Sequence, residues 1–481
     1  MDAGVHIPLY RFGRTYESLD TAEVEDFRGE SVPVRISQAN AGLIRRDLRK
    51  VSDAFASVQS RTSAEMFEIC KRAGDLFLHA ELPVGGGISH TPGDYVTALS
   101  STGGLPQTLC GSNMRKVHHV LSHMEDVVGG LTRGLDPLVL DRGVSREEDR
   151  LLSFYAAARC LGVVLPSNSP GVNSLWLPCV ALRIPVVIKP GRQDPWTPWR
   201  IIQAFLAAGC PPEAFGYYPT DHEGSSAVLD SCDRAILFGD QSTVDRYAGD
   251  PTVNVHGPGY SKILVGEDCA DRWQDYLDVM VDSVLNNSGR SCVNASTIVI
   301  PRHARAVAEA LANRLAKIGP LSPDSPDAQL AGFAQPQVAA WTSQKIDDGV
   351  KTGGAEDLSS VVRGPDRLVE QDGLTYLKPT VIYCSDPGHE LARTEFLFPY
   401  VAVVQVDQDD MPAWMGPSLV VTAITGDEDF RDVLVNCRQI DRLNLGALST
   451  TSVRWDQPHE GNLFEFLYRR RAIQEASVAP E

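Results

Sequence analysis

Apolar residues recur at three- and four-residue steps through "ANAGLIRRDLRKVSDAFASVQSRTSAEMFEICKRAGDLFL", the spacing of one buried helical face. The first 150 residues therefore read as mostly helical. The Gly- and Ser-rich "LPVGGGISHTPGDYVTALSSTGGLP" interrupts them and reads as loop. From Ala157 the pattern changes. The short apolar runs in "CLGVVLPSNSPG" and "PVVIKPG" read as buried strands, "LWLPCVALRI" as helical, and "PWRIIQAFLAAGCPP" as a helix stopped by Gly and Pro. Strand-like "RAILFG", a helix opening at Gln241 and strand-like "KILVGED" follow. Strands alternating with crossover helices predict a parallel, doubly wound sheet, which takes its ligands at the carboxyl ends of its strands.

A second series begins near His256. It holds the helix "CADRWQDYLDVMVDSVLNN", the strand "STIVIP", the helix "ARAVAEALANRLAKI" and later strands "TYLKPTVIYC", "YVAVVQV" and "LVVTAIT". No internal repeat at a fixed period is visible. The chain thus reads as two α/β domains, one ending before His256 and one following it.

Length fits that division, since 481 residues exceed one compact core. The composition is 43% hydrophobic and 22% charged, as in an ordinary globular protein. A net charge of −18 repels polyanions, which argues against nucleic acid or an anionic membrane as partner. A phosphorylated ligand would need a local cationic or amide-lined pocket. The N-terminus has no long apolar segment of a signal peptide, and no run approaches the roughly 18 apolar residues of a membrane span. A cytoplasmic location is the expectation. The ten cysteines are scattered without paired spacing, so neither a zinc site nor a disulfide framework follows.

Cys292 stands apart. It lies in "NNSGRSCVNAS", a loop of small polar residues with Gly289 and Arg290 just ahead of it. A thiolate is more accessible in an amide-rich loop near a positive charge, whereas the other nine cysteines read as small buried apolar residues.

The order "LPSNSPG", "VVIKPG", "AILFGD", "HGPG", "GRSC", "TEFLFPYV" resembles the aldehyde dehydrogenase superfamily over roughly residues 150 to 470. The resemblance implies a Rossmann-like NAD- or NADP-binding domain over 1–255 that includes the N-terminal helical segment. It implies a catalytic α/β domain with a nucleophilic cysteine over 256–445, and a bridging tail with a small β oligomerisation element over 446–481. Homodimers or homotetramers acting on a small-molecule aldehyde or acyl thioester are implied too. Cys292 then matches the nucleophile and Asn168 the oxyanion-hole amide. Lys189 matches the lysine that contacts the adenosine ribose, and Glu395 the glutamate that holds the nicotinamide ribose. Phe238 and Gly239 open the turn that faces the cofactor phosphates. Asp240 follows them where the family usually has serine, and as a helix cap it would point away from a pyrophosphate. After Pro190 and Gly191, many NAD-dependent relatives carry a glutamate; here Arg192 stands, which favours tolerance of a 2′-phosphate and hence NADP.

One departure bears on the reaction. Hydrolytic members carry a water-activating glutamate ahead of a Gly-Gly turn, and here His256 takes its place, followed by "GPG". That resembles the CoA-acylating and acyl-CoA-reducing branch, with coenzyme A as acyl acceptor, because a thiol needs little help where water needs a base. Hydrolysis with His256 as base is the alternative, since imidazole titrates near neutral pH. A non-catalytic scaffold is the third reading. Trp176 and Phe396 are expected near the mouth of the substrate channel.

Overall fold

The computed structural model describes residues 5–27, 34–147 and 150–476. The last five residues of the expected tail, and the first four of the leading segment read for a signal peptide, lie outside the described residues. Two seven-stranded sheets organise the chain. In the first, the strands run Val253–His256, Arg234–Phe238, Leu161–Val164, Val186–Lys189, Phe215–Tyr217, Leu9–Arg11 and Thr15–Tyr16. The first five are parallel, and the last two join antiparallel. The parallel strands at its centre are almost wholly apolar, as strands covered on both faces must be. His256 closes the edge strand of this sheet, with its backbone carbonyl accepting from Gly239 N–H at 3.1 Å.

The second sheet runs Ala355–Asp357, Thr380–Cys384, Tyr400–Gln405, Thr297–Ile300, Lys262–Val265, Ser418–Ile424 and Ile440–Leu445, parallel except for the first. Successive residues alternate between its faces. Leu264 and Val299 enter one core, and their neighbours Ile263 and Ile298 enter the other. A third, three-stranded antiparallel sheet joins Val144–Glu147, Arg150–Ala156 and the late strand Tyr468–Arg471. Among the described residues no helix is long and apolar enough to cross a membrane.

The α/β class follows the periodicity, but the N-terminal region differs from its reading. Strands of two to four residues occupy His6–Ser37, too short to show a period, and two of them complete the first sheet. The glycine-rich passage is not simply loop. It forms a hairpin, Leu82–Gly85 with Ile88–His90, and a helix, Pro92–Gly103, started by a capping box between Thr91 and Asp94. "TYLKPTVIYC" is two strands, because Pro379 has no N–H to give a ladder. The predicted single helix after His256 is three pieces: Glu267–Ala270, a turn at Trp273–Tyr276, and Leu277–Leu285.

Candidate active site

Cys292 follows a backbone held in an uncommon conformation. Asn287, Ser288 and Gly289 all have positive φ (53°, 57° and 65°), and side chains at such angles persist only where surroundings enforce them. The enforcement is visible. Asn287 Nδ2 donates to Ser169 Oγ and Ser291 Oγ, both at 3.1 Å, and its Oδ1 accepts from Asn113 Nδ2 at 2.8 Å. Ser288 Oγ accepts from Ala331 N–H at 2.8 Å. At Gly289 a Cβ would overlap the Phe398–Pro399 backbone, so only glycine fits. Ser261 Oγ then fixes the Cys292 carbonyl at 2.8 Å, and Gly259 packs so close to that carbonyl that a Cβ would overlap it.

Arg290 does not serve the thiol as a nearby charge. Its buried guanidinium points the other way, donating to the carbonyls of Gly103 (2.8 Å) and Gly332 and lying 5.7 Å over the Phe333 ring. It ties the cysteine loop to two distant segments. Arg290→Met should therefore lower stability by about 2–4 kcal/mol, because two buried carbonyls lose charged donors. Urea unfolding of the variant checks this. Burial pushes the Cys292 thiol well above its ordinary pKa, with the carboxylates of Glu460 and Glu395 adding to the rise. The N–H groups of Cys292 and Val293 oppose it. Attack needs the thiolate, so a base or a bound cation must favour it.

His256 is buried, and it is not alone. Its Nδ1 contacts Glu460 Oε2, from the segment after the last strand of the second sheet. Asn254 Nδ2 donates to the Glu460 carbonyl at 2.9 Å and lies 3.3 Å from His256 Nε2. The contact brings Nδ1 and the carboxylate together without hydrogen-bond geometry. His459 stacks against His256 with ring centres 6.2 Å apart, and Phe238 packs on its other side at 4.8 Å. Burial holds the His459 imidazole well below its usual pKa, and His256, Arg442 and Lys116 add to the effect. The ligand-capable atoms of His256, His459 and Glu460 lie within 4.8 Å of one another, a grouping that no sequence spacing announced. These three residues line a cavity of about 50 Å³ with Asn254, Arg442 and Trp455.

Asn168 stands in the turn before Pro170–Leu175. One of its amide protons goes to the Arg290 carbonyl at 2.8 Å, and its buried Oδ1 has no partner among the described residues. Glu395 accepts from the backbone N–H of Gly259 (3.2 Å) and Tyr260 (2.6 Å), so it clamps the loop between His256 and the second sheet. Burial pushes its carboxyl up to about 7, against those N–H groups and Lys262. Lys189 ends its strand half-buried, and burial lowers its pKa. Two residues on, a Cβ at Gly191 would overlap the Pro166 carbonyl, so only glycine lets the two backbones pack this closely. Arg192 is exposed on a groove it shares with Glu23, Gln193 and Phe333. Gly239 packs on Thr243, and Asp240 caps the helix Gln241–Tyr247 by accepting from Thr243 N–H at 3.0 Å. Trp176 and Phe396 are buried rather than at a channel mouth. Trp176 donates to Asn173 Oδ1 at 3.1 Å, and Phe396 packs edge-on to Tyr400.

The sequence profile of the aldehyde dehydrogenase family matches residues 104–413. The 5-carboxymethyl-2-hydroxymuconate semialdehyde dehydrogenase of Escherichia coli is 26% identical over 274 residues, 53% of this chain. That match spans 57% of the relative's length. Two solved structures share the fold at 15% identity. The aldehyde dehydrogenase KauB from Pseudomonas aeruginosa superposes with a TM-score of 0.79, covering 98% of this chain and 97% of that one. Betaine aldehyde dehydrogenase from Staphylococcus aureus, solved with NAD+, gives 0.77 over 97% and 94%.

Proposed function

Because this chain belongs to the aldehyde dehydrogenase family, we propose that it oxidises a small aldehyde with NAD or NADP through an adduct at Cys292, and that water takes the acyl group with His256 as base. The observation that carries the choice of water is the contact of the buried His256 imidazole with the Glu460 carboxylate.

Cys292 Sγ attacks the carbonyl carbon, and the second amide proton of Asn168 and the N–H of Cys292 are donors for the oxygen that becomes negative. Lys189, Arg192, Phe238, Gly239 and Glu395 would hold the cofactor. Lys189, half-buried at its strand end and without a hydrogen bond or ion pair among the described residues, leaves a cation for a dinucleotide there. The nicotinamide group, when bound, supplies the hydride acceptor. An acyl thioester on Cys292 then needs a nucleophile. Glu460 lies against His256 Nδ1, which leaves Nε2 as the ring nitrogen to take the proton of a water. Arg192 supports acceptance of NADP as well as NAD, since a guanidinium pairs with a 2′-phosphate. We place the functional boundary at His256, with 1–255 as cofactor domain, 256–445 as catalytic domain and 446–481 as bridging tail. The three-stranded sheet is the element proposed to join copies as homodimers or homotetramers, in the cytoplasm.

Coenzyme A as acceptor is the second reading, favoured by the histidine standing where hydrolytic relatives carry glutamate and by Gly257-Pro258-Gly259. The test is steady-state NAD(P)H production from a panel of aldehydes with and without coenzyme A. Turnover unchanged by coenzyme A supports hydrolysis, and strict dependence on it overturns that choice. A chain without turnover or cofactor binding in either arm would be a scaffold.

A further inference from the structure

Lys116 is not absorbed by any role above. It lies on the helix Gln107–Ser122, whose buried stripe of Cys110, Met114, Val117 and Leu121 also carries the polar Asn113 and, beside it, this lysine. The side chain leans onto the turn after Asn168: a Cβ built on Gly171 would sit 3.5 Å from both Lys116 Cδ and Nζ. Among the described residues the ammonium has no hydrogen bond or ion pair, and burial lowers its pKa, with the charge of Cys292 raising it in return. Lys116 also depresses His459. Two segments of the site meet beside this cation: the Asn168–Gly171 turn, onto which it leans, and the Cys292 loop, where Asn287 Oδ1 accepts from Asn113 Nδ2 of the same helix at 2.8 Å.

A partly buried ammonium without a counter-charge is costly, and natural chains rarely keep one without a partner. The carboxylates nearby are committed. Glu460 contacts His256, and Glu395 holds the Gly259–Tyr260 backbone. The cofactor has its own lysine, and Lys189 is perturbed by burial alone, with no charge of Lys116 reaching it. The overall charge of −18 would keep an anionic substrate away unless a local cation received it.

We infer that Lys116 is the specificity-determining residue of the aldehyde chamber, and that the substrate is an aldehyde whose far end carries a carboxylate held by Lys116 Nζ. This rests on the proposed reaction at Cys292. A monoanionic carboxylate matches the single charge and rotatable donors of one lysine, with no arginine fork beside it.

The test compares wild type, Lys116→Met and Lys116→Arg on two probes, succinic semialdehyde and butanal. The wild-type ratio of kcat/KM should favour the charged probe, and in Lys116→Met that ratio should fall about tenfold to a hundredfold, mainly through KM. Lys116→Arg should retain most of it. An unchanged ratio in Lys116→Met, with both probes slowed alike, would overturn the proposal and make the lysine an aid to thiol ionisation. A second readout does not need turnover. Iodoacetate and iodoacetamide both alkylate Cys292 by displacing iodide, but only the first is an anion. The iodoacetate to iodoacetamide rate ratio, followed by the mass of the labelled peptide, should drop severalfold in Lys116→Met; no drop counts against the site. Wild type that labels with this preference yet oxidises neither probe would sink the proposed reaction while leaving anion recognition intact.

Discussion

Cys292→Ala should abolish NAD(P)H formation from any aldehyde, by more than about a thousandfold, without loss of fold. The side chain is small, and the loop around it is held by Asn287, Ser288, Ser261 and Arg290 rather than by the sulfur. Unfolding should therefore move little while catalysis disappears. Because the thiol sits well above its ordinary pKa, activity in the wild type should rise with pH as the thiolate fraction grows. The measurement is initial rate across pH for the wild type, alongside the urea midpoint and rate of the alanine variant. A variant that keeps even a few per cent of the rate would remove the nucleophile from Cys292.

His256→Ala should behave differently. The first chemical step would survive, and release of the acyl group would slow by about a hundredfold to ten-thousandfold, the range of a positioned general base. Rapid mixing would show a burst of NAD(P)H near one equivalent per chain, followed by slow turnover, and mass spectrometry would find acyl-Cys292. Glu460→Gln should give the same pattern more weakly, since the amide can still orient the ring but no longer supports its charge. Hydroxylamine or coenzyme A added after the burst should discharge the thioester in both. Loss of burst and turnover together would mean that His256 is needed to generate the thiolate instead.

The periodic strands of both sheets were legible because a strand buried on both faces is an unbroken apolar run, as in Val186–Lys189 and Thr297–Ile300. The turn around Cys292 was legible because small polar residues interrupt the apolar pattern there. The short N-terminal strands were not, since two or three residues carry no period. Nor was the part played by Arg290: a cation two positions from a cysteine suggests a charge for the thiol, and only the fold shows the side chain turned toward Gly103 and Gly332. Glu460 and His459 gave no local signal at all. Their segment has no apolar period, and the residue they meet lies on the other sheet, across the whole second strand series. Lys116 left a faint mark, as a cation bordering the apolar stripe of a helix.

The carboxylate of Glu460 follows every strand of both seven-stranded sheets in the chain, while the ring it touches belongs to the edge of the first. Chains emerge from the ribosome N-terminus first and fold as they emerge. The thiol and the imidazole are thus made, and their sheets can close, before the acid exists. The site is finished by a loop that docks afterwards, held by Arg442 on the Pro458 carbonyl and Asn462 on the Leu131 carbonyl. On the proposed reaction, a thioester formed at Cys292 in that interval would be released more slowly, so the order of synthesis makes the docking of one late loop the last step in completing the catalyst.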